Sequence, residues 1–253
     1  MSTAPGTPDP FDANRPSGYI PHTTEDRPDR RAHPHPDAEN RTPESRSGEP
    51  ADIADPLATG VIAATGAAVA VALPLSFPAG GGPTAFDLEV GARIDPRLDP
   101  RPWVAEVLAL ASSTGIVLAV LCGGAAWFAW QRRWWETATV VLVPELAVAV
   151  NTWALKPWWG RPLHDYLAYP SGHTVHLVSV VTALVLLLRS VRARMVIVLL
   201  AVAGWCAGAV GMIALDYHLA TDVLGGAAAG VALAVALYWV SVYARRAFGR
   251  GHY

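Results

Sequence analysis

The chain is short of lysine, cysteine and charge. Lys156 is its single lysine in 253 residues, and charged residues make up 16% against 52% hydrophobic. That balance argues against an ordinary soluble domain and points to insertion in a membrane. A formal net charge of −2 offers no overall basic field, and no nucleic-acid partner is expected. The two cysteines, Cys122 and Cys206, stand in separate apolar runs without metal-ligand neighbours. They read as small buried hydrophobes rather than as a zinc pair or a disulfide framework.

The average conceals a divide. Residues 1–56 are rich in Pro, Asp, Glu, Arg, Ser and Thr and almost without apolar periodicity. Such a stretch buries too little surface to offset its ordering entropy, so a disordered cytoplasmic tail is expected there. Its "HPHP", His33 to Pro36, is read as composition rather than as a metal site. No cleavable signal segment is read at the start, because the first apolar run comes only after this tail.

From residue 57 onward the chain is apolar at membrane length. A spanning helix needs roughly 20 mostly apolar residues. Six runs meet or approach that, at 57–78, 103–130, 137–155, 171–189, 195–214 and 222–243. The expectation is an all-α, polytopic six-helix transmembrane bundle over 57–243, with a cytoplasmic tail at 244–253. Arg132 and Arg133, then Arg189, Arg192 and Arg194, then Arg245, Arg246 and Arg250 all fall on one side of it. The positive-inside rule makes that side cytoplasmic and places both termini there, in the plasma membrane. The opposite loop, 79–102, carries Arg93, Arg97 and Arg101 mixed with Asp87, Glu89, Asp95 and Asp99. Gly204, Gly208 and Gly211 in the fifth run, and Gly226 and Gly230 in the sixth, would let helix backbones approach closely.

Three polar clusters converge on the outer side: "LKPWWGRP" (155–162), "YPSGHT" (169–174) and "DYHLATD" (216–222). A helix start leaves backbone N–H groups unpaired and carries partial positive charge, so it receives anions. In the second cluster Pro170 halts any preceding helix, Ser171 can cap, Gly172 admits an anion close to the backbone, and His173 stands beside it. Lys156 and Arg161 add fixed positive charge suited to phosphate. If the sixth helix starts near His218, then His218 and Asp222 (i, i+4) share a face, and the carboxylate would set the imidazole tautomer. That arrangement serves a nucleophilic histidine, with His173 placed to protonate a leaving oxygen. Taken singly, each cluster has a plain structural reading: a snorkelling lysine, a capped helix start, a helix-end salt bridge. Glu145 and Asn151, inside the third run, would suit a transporter, but a hydrogen-bonded packing role is the simpler reading; Pro144 suggests a local helix break beside them.

These stretches resemble a known family. "KPWWGRP" (Lys156 to Pro162), "PSGHT" (Pro170 to Thr174) and "HLATDVLGG" (His218 to Gly226) resemble the three signature motifs of the type 2 phosphatidic acid phosphatase family. It is the membrane branch of a superfamily that also holds the vanadium haloperoxidases. The resemblance covers about residues 57–243. It implies a metal-independent phosphatase, without cofactor, acting on lipid phosphates or isoprenoid diphosphates at the outer membrane face. It further implies His218 as the nucleophile that becomes phosphohistidine, Asp222 as its orienting carboxylate and His173 as general acid. Lys156, Arg161, Ser171 and the Gly172 backbone would hold the phosphoryl oxygens. Two of the motifs depart from the family pattern. Gly211 and Met212 stand where it usually has Ser-Arg, and Leu163 and His164 where it usually has Arg-Pro. His164, or an arginine of the 79–102 loop, would have to compensate. The alternative is a catalytically weak or silent relative that binds or flips a phospholipid. Codon-linked usage, rich in Ala, Val and Arg, associates the chain with a bacterial, GC-rich genome.

Overall fold

The computed structural model describes residues 55–249; the tail with His33 to Pro36, and residues 250–253, lie outside them. Among the described residues the helices are α1 (Pro56–Ala72), α2 (Ala85–Leu98), α3 (Pro102–Leu110), α4 (Thr114–Trp130), α5 (Trp134–Val150), α6 (Lys156–Trp159), α7 (Gly172–Leu187), α8 (Val191–Ala214) and α9 (Ala220–Gly249). A two-residue hairpin, β1 (Pro162–Leu163) with β2 (Tyr166–Leu167), pairs antiparallel.

Five stretches are long and apolar enough to span: Pro56–Ser76, Pro102–Trp130, Trp134–Trp159, Val191–Ala214 and Ala220–Ala247. The apolar Gly172–Leu187 is shorter. The chain is a multi-pass membrane protein with an all-helical body, and the six apolar runs reappear as these segments. Most of the spans' surface is apolar and outward-facing, as lipid requires. Cys122 and Cys206 are exposed there, which corrects their expected burial.

At 16 residues, α7 is about 24 Å long at 1.5 Å per residue, against a hydrocarbon core of about 30 Å. Its C-terminal end is pinned: Arg133 Nη2 donates to the Leu187 carbonyl at 3.2 Å and Arg194 Nε to that of Leu188 at 2.6 Å. Cations there meet the unpaired carbonyls and the negative end of the helix dipole. The opposite end of the helix is where Ser171 to His173 lie.

α7 is the central helix, packed on α5 and α9, with α4 and α8 beside it and α1 against α9. Val140, Val143, Val180, Ala183, Leu184 and Tyr238 belong to the core between them. Close approach depends on glycine. A Cβ on Gly226 would fall 2.8 Å from the Ser171 carbonyl oxygen, and one on Gly225 2.1 Å from the Tyr169 ring. One on Gly211 would fall 2.3 Å from the Ala109 backbone nitrogen, so this position has no room for the family's serine.

Several boundaries differ from expectation. The 79–102 loop contains α2, started by a capping box in which Thr84 and Asp87 bond each other's backbone N–H. α5 runs through Pro144; the irregularity comes later, as a π turn at Asn151–Leu155. α9 continues to Gly249, past the end expected at 243.

Candidate active site

The site is assembled at the start of α7. Pro170 and Ser171 end the segment that leaves β2, and Gly172 begins the helix. Asn151, at the π turn, is fully buried and donates from Nδ2 to the Pro170 carbonyl at 3.3 Å. The Ser171 amide donates to the Asp222 carbonyl at 3.0 Å. These two bonds tie the start of α7 to the third and sixth spans. Ser171 is the N-cap residue, but its side chain caps nothing; its hydroxyl accepts from Thr174 at 3.2 Å. The first-turn amides of Gly172 and His173 have no intrahelical partner.

His218 precedes α9 rather than standing on it, which corrects the shared helical face. Asp222 is the third helical residue and its Oδ2 accepts from the Leu219 amide at 3.0 Å, reaching back as in a capping box. That same oxygen lies 3.8 Å from His218 Nδ1, ion-pair range rather than a hydrogen bond. His218 is buried, and its ring centroid lies 6.4 Å from that of His173 and 6.1 Å from that of Tyr166. Lys156 donates from Nζ to the Leu167 carbonyl, and two further N–H donors remain on its ammonium.

Arg161 departs most from its expected role. It is fully buried and all five guanidinium N–H donors are used inside the protein. Nε donates to the Gly81 carbonyl at 2.9 Å, and Nη2 to the Gly82 carbonyl at 2.9 Å and to Asp87 Oδ2 at 3.1 Å. Nη1 donates to Thr221 Oγ1 at 2.6 Å and to Asp222 Oδ1 at 2.8 Å. Phe77 covers its face at 3.8 Å. None of these donors is left for a phosphoryl oxygen in this arrangement, and Arg161 instead holds the Asp222 carboxylate beside His218.

Asp87, on α2, completes this network and was not anticipated from sequence. It accepts from the Thr221 amide at 2.8 Å and the Thr221 hydroxyl at 3.0 Å. Burial pushes its carboxyl up, but hydrogen bonds from the Thr84 and Thr221 amides, the Thr84 hydroxyl and Arg161 outweigh this and hold it below the usual range. The signal available was "GGGPTAFD": three glycines, then a Thr with Asp three residues on, the pattern of a helix start.

Three of the expected compensating cations are paired with other groups. His164 Nε2 meets Asp216, 3.1 Å from its carbonyl oxygen and 3.2 Å from Oδ2. Asp216 takes a left-handed turn at φ 55°. Arg93 pairs with Glu89, and Arg97 with the Arg93 carbonyl. Met212 is buried and lines a cavity of about 260 Å³ with His173, Glu106 and Tyr217. Among the described residues no three His, Cys, Asp or Glu side chains gather as for a metal ion.

A helix bundle with a histidine pair at the start of its central helix defines the class: a membrane-embedded α-helical protein with a candidate anion site. Residues 150–246, which hold all three motifs, match the family model of the PAP2 superfamily. Its fold is similar to a crystal structure described as the first transmembrane PAP2 type phosphatidylglycerolphosphate phosphatase from Bacillus subtilis. The TM-score is 0.56 at 19% identity, covering 73% of this chain and 96% of the other. None of the curated proteins matches the chain.

Proposed function

We propose that the protein is a phosphatase of lipid phosphates that works through a phosphohistidine on His218. The observation that carries this reading is the pair of imidazoles, His173 and His218, 6.4 Å apart beside Lys156 and the open amides of α7. His218 attacks phosphorus through one ring nitrogen; the N–P bond forms as the ester P–O bond breaks. The leaving oxygen takes its proton from His173. Water then attacks the phosphohistidine, giving its proton to His173, and inorganic phosphate leaves with His218 restored. Asp222, held by Arg161, stabilises the His218 cation at ion-pair range. Lys156 and the Gly172 and His173 amides stabilise the phosphoryl charge.

The arginine-rich ends of α4, α7 and α9 support an orientation with both termini cytoplasmic and the site open to the outer face of a plasma membrane. Exposed Trp158 and half-buried Trp159 suit the head-group level there. Purified protein should release phosphate from a lipid phosphate in the presence of EDTA, and His218→Ala should abolish this. Turnover that persists in His218→Ala would refute the assigned nucleophile.

A second reading is a weak or silent phospholipid binder. It is favoured by Met212 and by the internal engagement of Arg161, which leave Lys156 as the lysine or arginine from the three motifs placed for phosphate. Lipid-dependent thermal stabilisation without phosphate release would decide for it.

A further inference from the structure

Two ionisable side chains inside the spans take no part in that reaction. Glu145 on α5 and His176 on α7 meet across the bundle, Oε1 to Nε2, at 3.2 Å. The contact is not a hydrogen bond: the buried His176 Nε2 has no hydrogen-bond partner among the described residues. Glu145 is 48% exposed on a segment otherwise bordered by apolar residues. A carboxylate at such depth is costly and marks function by default.

Both groups line a cavity of about 290 Å³ between α4, α5 and α7. Gly172 and His173 form its upper end, so it is continuous with the candidate phosphate position. Val117, Leu118 and Val148 supply its apolar wall, which suits a hydrocarbon chain. His176 lies one turn below His173 on the same helix face, about 4.5 Å along the axis. A lipid whose phosphate sits at His173 and whose tail enters this cavity therefore passes Glu145 and His176 with the atoms next to its phosphoester.

We propose that Glu145 and His176 form a substrate-backbone subsite that selects glycerol-based lipid phosphates over prenyl phosphates. The proposal rests on the phosphatase reading and adds the substrate class. In a glycerol lipid the carbon next to the phosphoester carbon bears an oxygen. In a prenyl phosphate the chain beyond the phosphoester is hydrocarbon. A backbone hydroxyl donates to Glu145 and accepts from the imidazole N–H, satisfying both; an ester carbonyl satisfies only the imidazole. A bare prenyl chain would leave both polar groups unmet, the kind of mismatch that discriminates strongly.

The test uses the purified full chain with monooleoyl lysophosphatidate, dioleoyl phosphatidate and geranylgeranyl monophosphate. Glu145→Gln keeps the shape of a half-exposed side chain and removes its charge. The expected result is a fall in kcat/KM of about tenfold on the lysolipid, whose hydroxyl loses its carboxylate acceptor, with a smaller fall on dioleoyl phosphatidate and little change on the prenyl phosphate. An equal fall on all three, or none, overturns the subsite. A parallel measurement needs no turnover: monooleoylglycerol, which carries no phosphate, should raise the melting temperature of the wild type but not of Glu145→Gln. Geranylgeraniol should not distinguish the two proteins. If no lipid phosphate is hydrolysed, the phosphatase reading fails, and the monooleoylglycerol shift still decides the subsite; equal shifts in the two proteins sink it.

Discussion

Arg161 and Lys156 are five residues apart and have different work. Arg161 joins two buried carboxylates, Asp87 and Asp222, with nothing left over for substrate. Removing one partner from a buried pair typically costs about 3–5 kcal/mol, and lysine cannot reproduce the planar fork. Arg161→Lys should therefore lower the melting temperature markedly and lose activity with it. Lys156→Ala should instead keep its fold and lose about 10- to 100-fold in kcat/KM, the worth of one charged hydrogen bond in the transition state. Melting curves beside kinetics separate the two roles. Asp87 adds a pH dependence. Its folded pKa lies below the unfolded value of about 3.9, so its contribution is full above that value and is lost as pH falls through the folded pKa. Melting temperatures in detergent from neutral pH downward should drop on the acid side, and Asp87→Asn should flatten that drop. The basic character of these residues was legible in sequence. Which cation is engaged inside the protein was not, because that depends on carboxylates 61 and 74 residues away.

At the scale of elements, the site depends on how closely α9 lies against the start of α7. Gly225 and Gly226 leave no space for a methyl group beside Tyr169 and Ser171. Tyr169 is held at its far end by a hydrogen bond from its hydroxyl to the Ala70 carbonyl at 2.5 Å, so the ring cannot easily retreat. Gly225→Ala should destabilise by about 1–3 kcal/mol, the usual range for overpacking, and displace the loop that carries Ser171. Gly60 on α1 has nothing within 4 Å of a new Cβ. Gly60→Ala should be neutral or slightly stabilising, and the pair compared by thermal melting isolates packing from propensity. The apolar runs and helix-end arginines made the spans readable. The amphipathic α2 was hidden because its charges, Asp87, Glu89, Arg93 and Arg97, have the composition of a loop, and only its capping box betrays a helix.

For the whole molecule, the consequence of the proposed orientation is sidedness. A cysteine at Asp165, in the β1–β2 turn, should react with an impermeant thiol reagent from outside intact cells. One at Arg132, between α4 and α5, should react only after the membrane is opened; the reverse pattern would invert the topology. Cys122 and Cys206, exposed among apolar span residues, should stay silent toward a polar reagent. The sequence by itself determined the apolar segments, their arginine asymmetry and the three motif stretches, because hydropathy and helix-start chemistry are local properties. Tertiary structure alone decided that Arg161 turns inward, that Asn151 and Asp87 brace the loop and carboxylate, and that Glu145 meets His176. Each of these is a contact between distant helices, fixed by the glycine-dependent approach of backbones and by the cost of leaving a buried polar group without a partner.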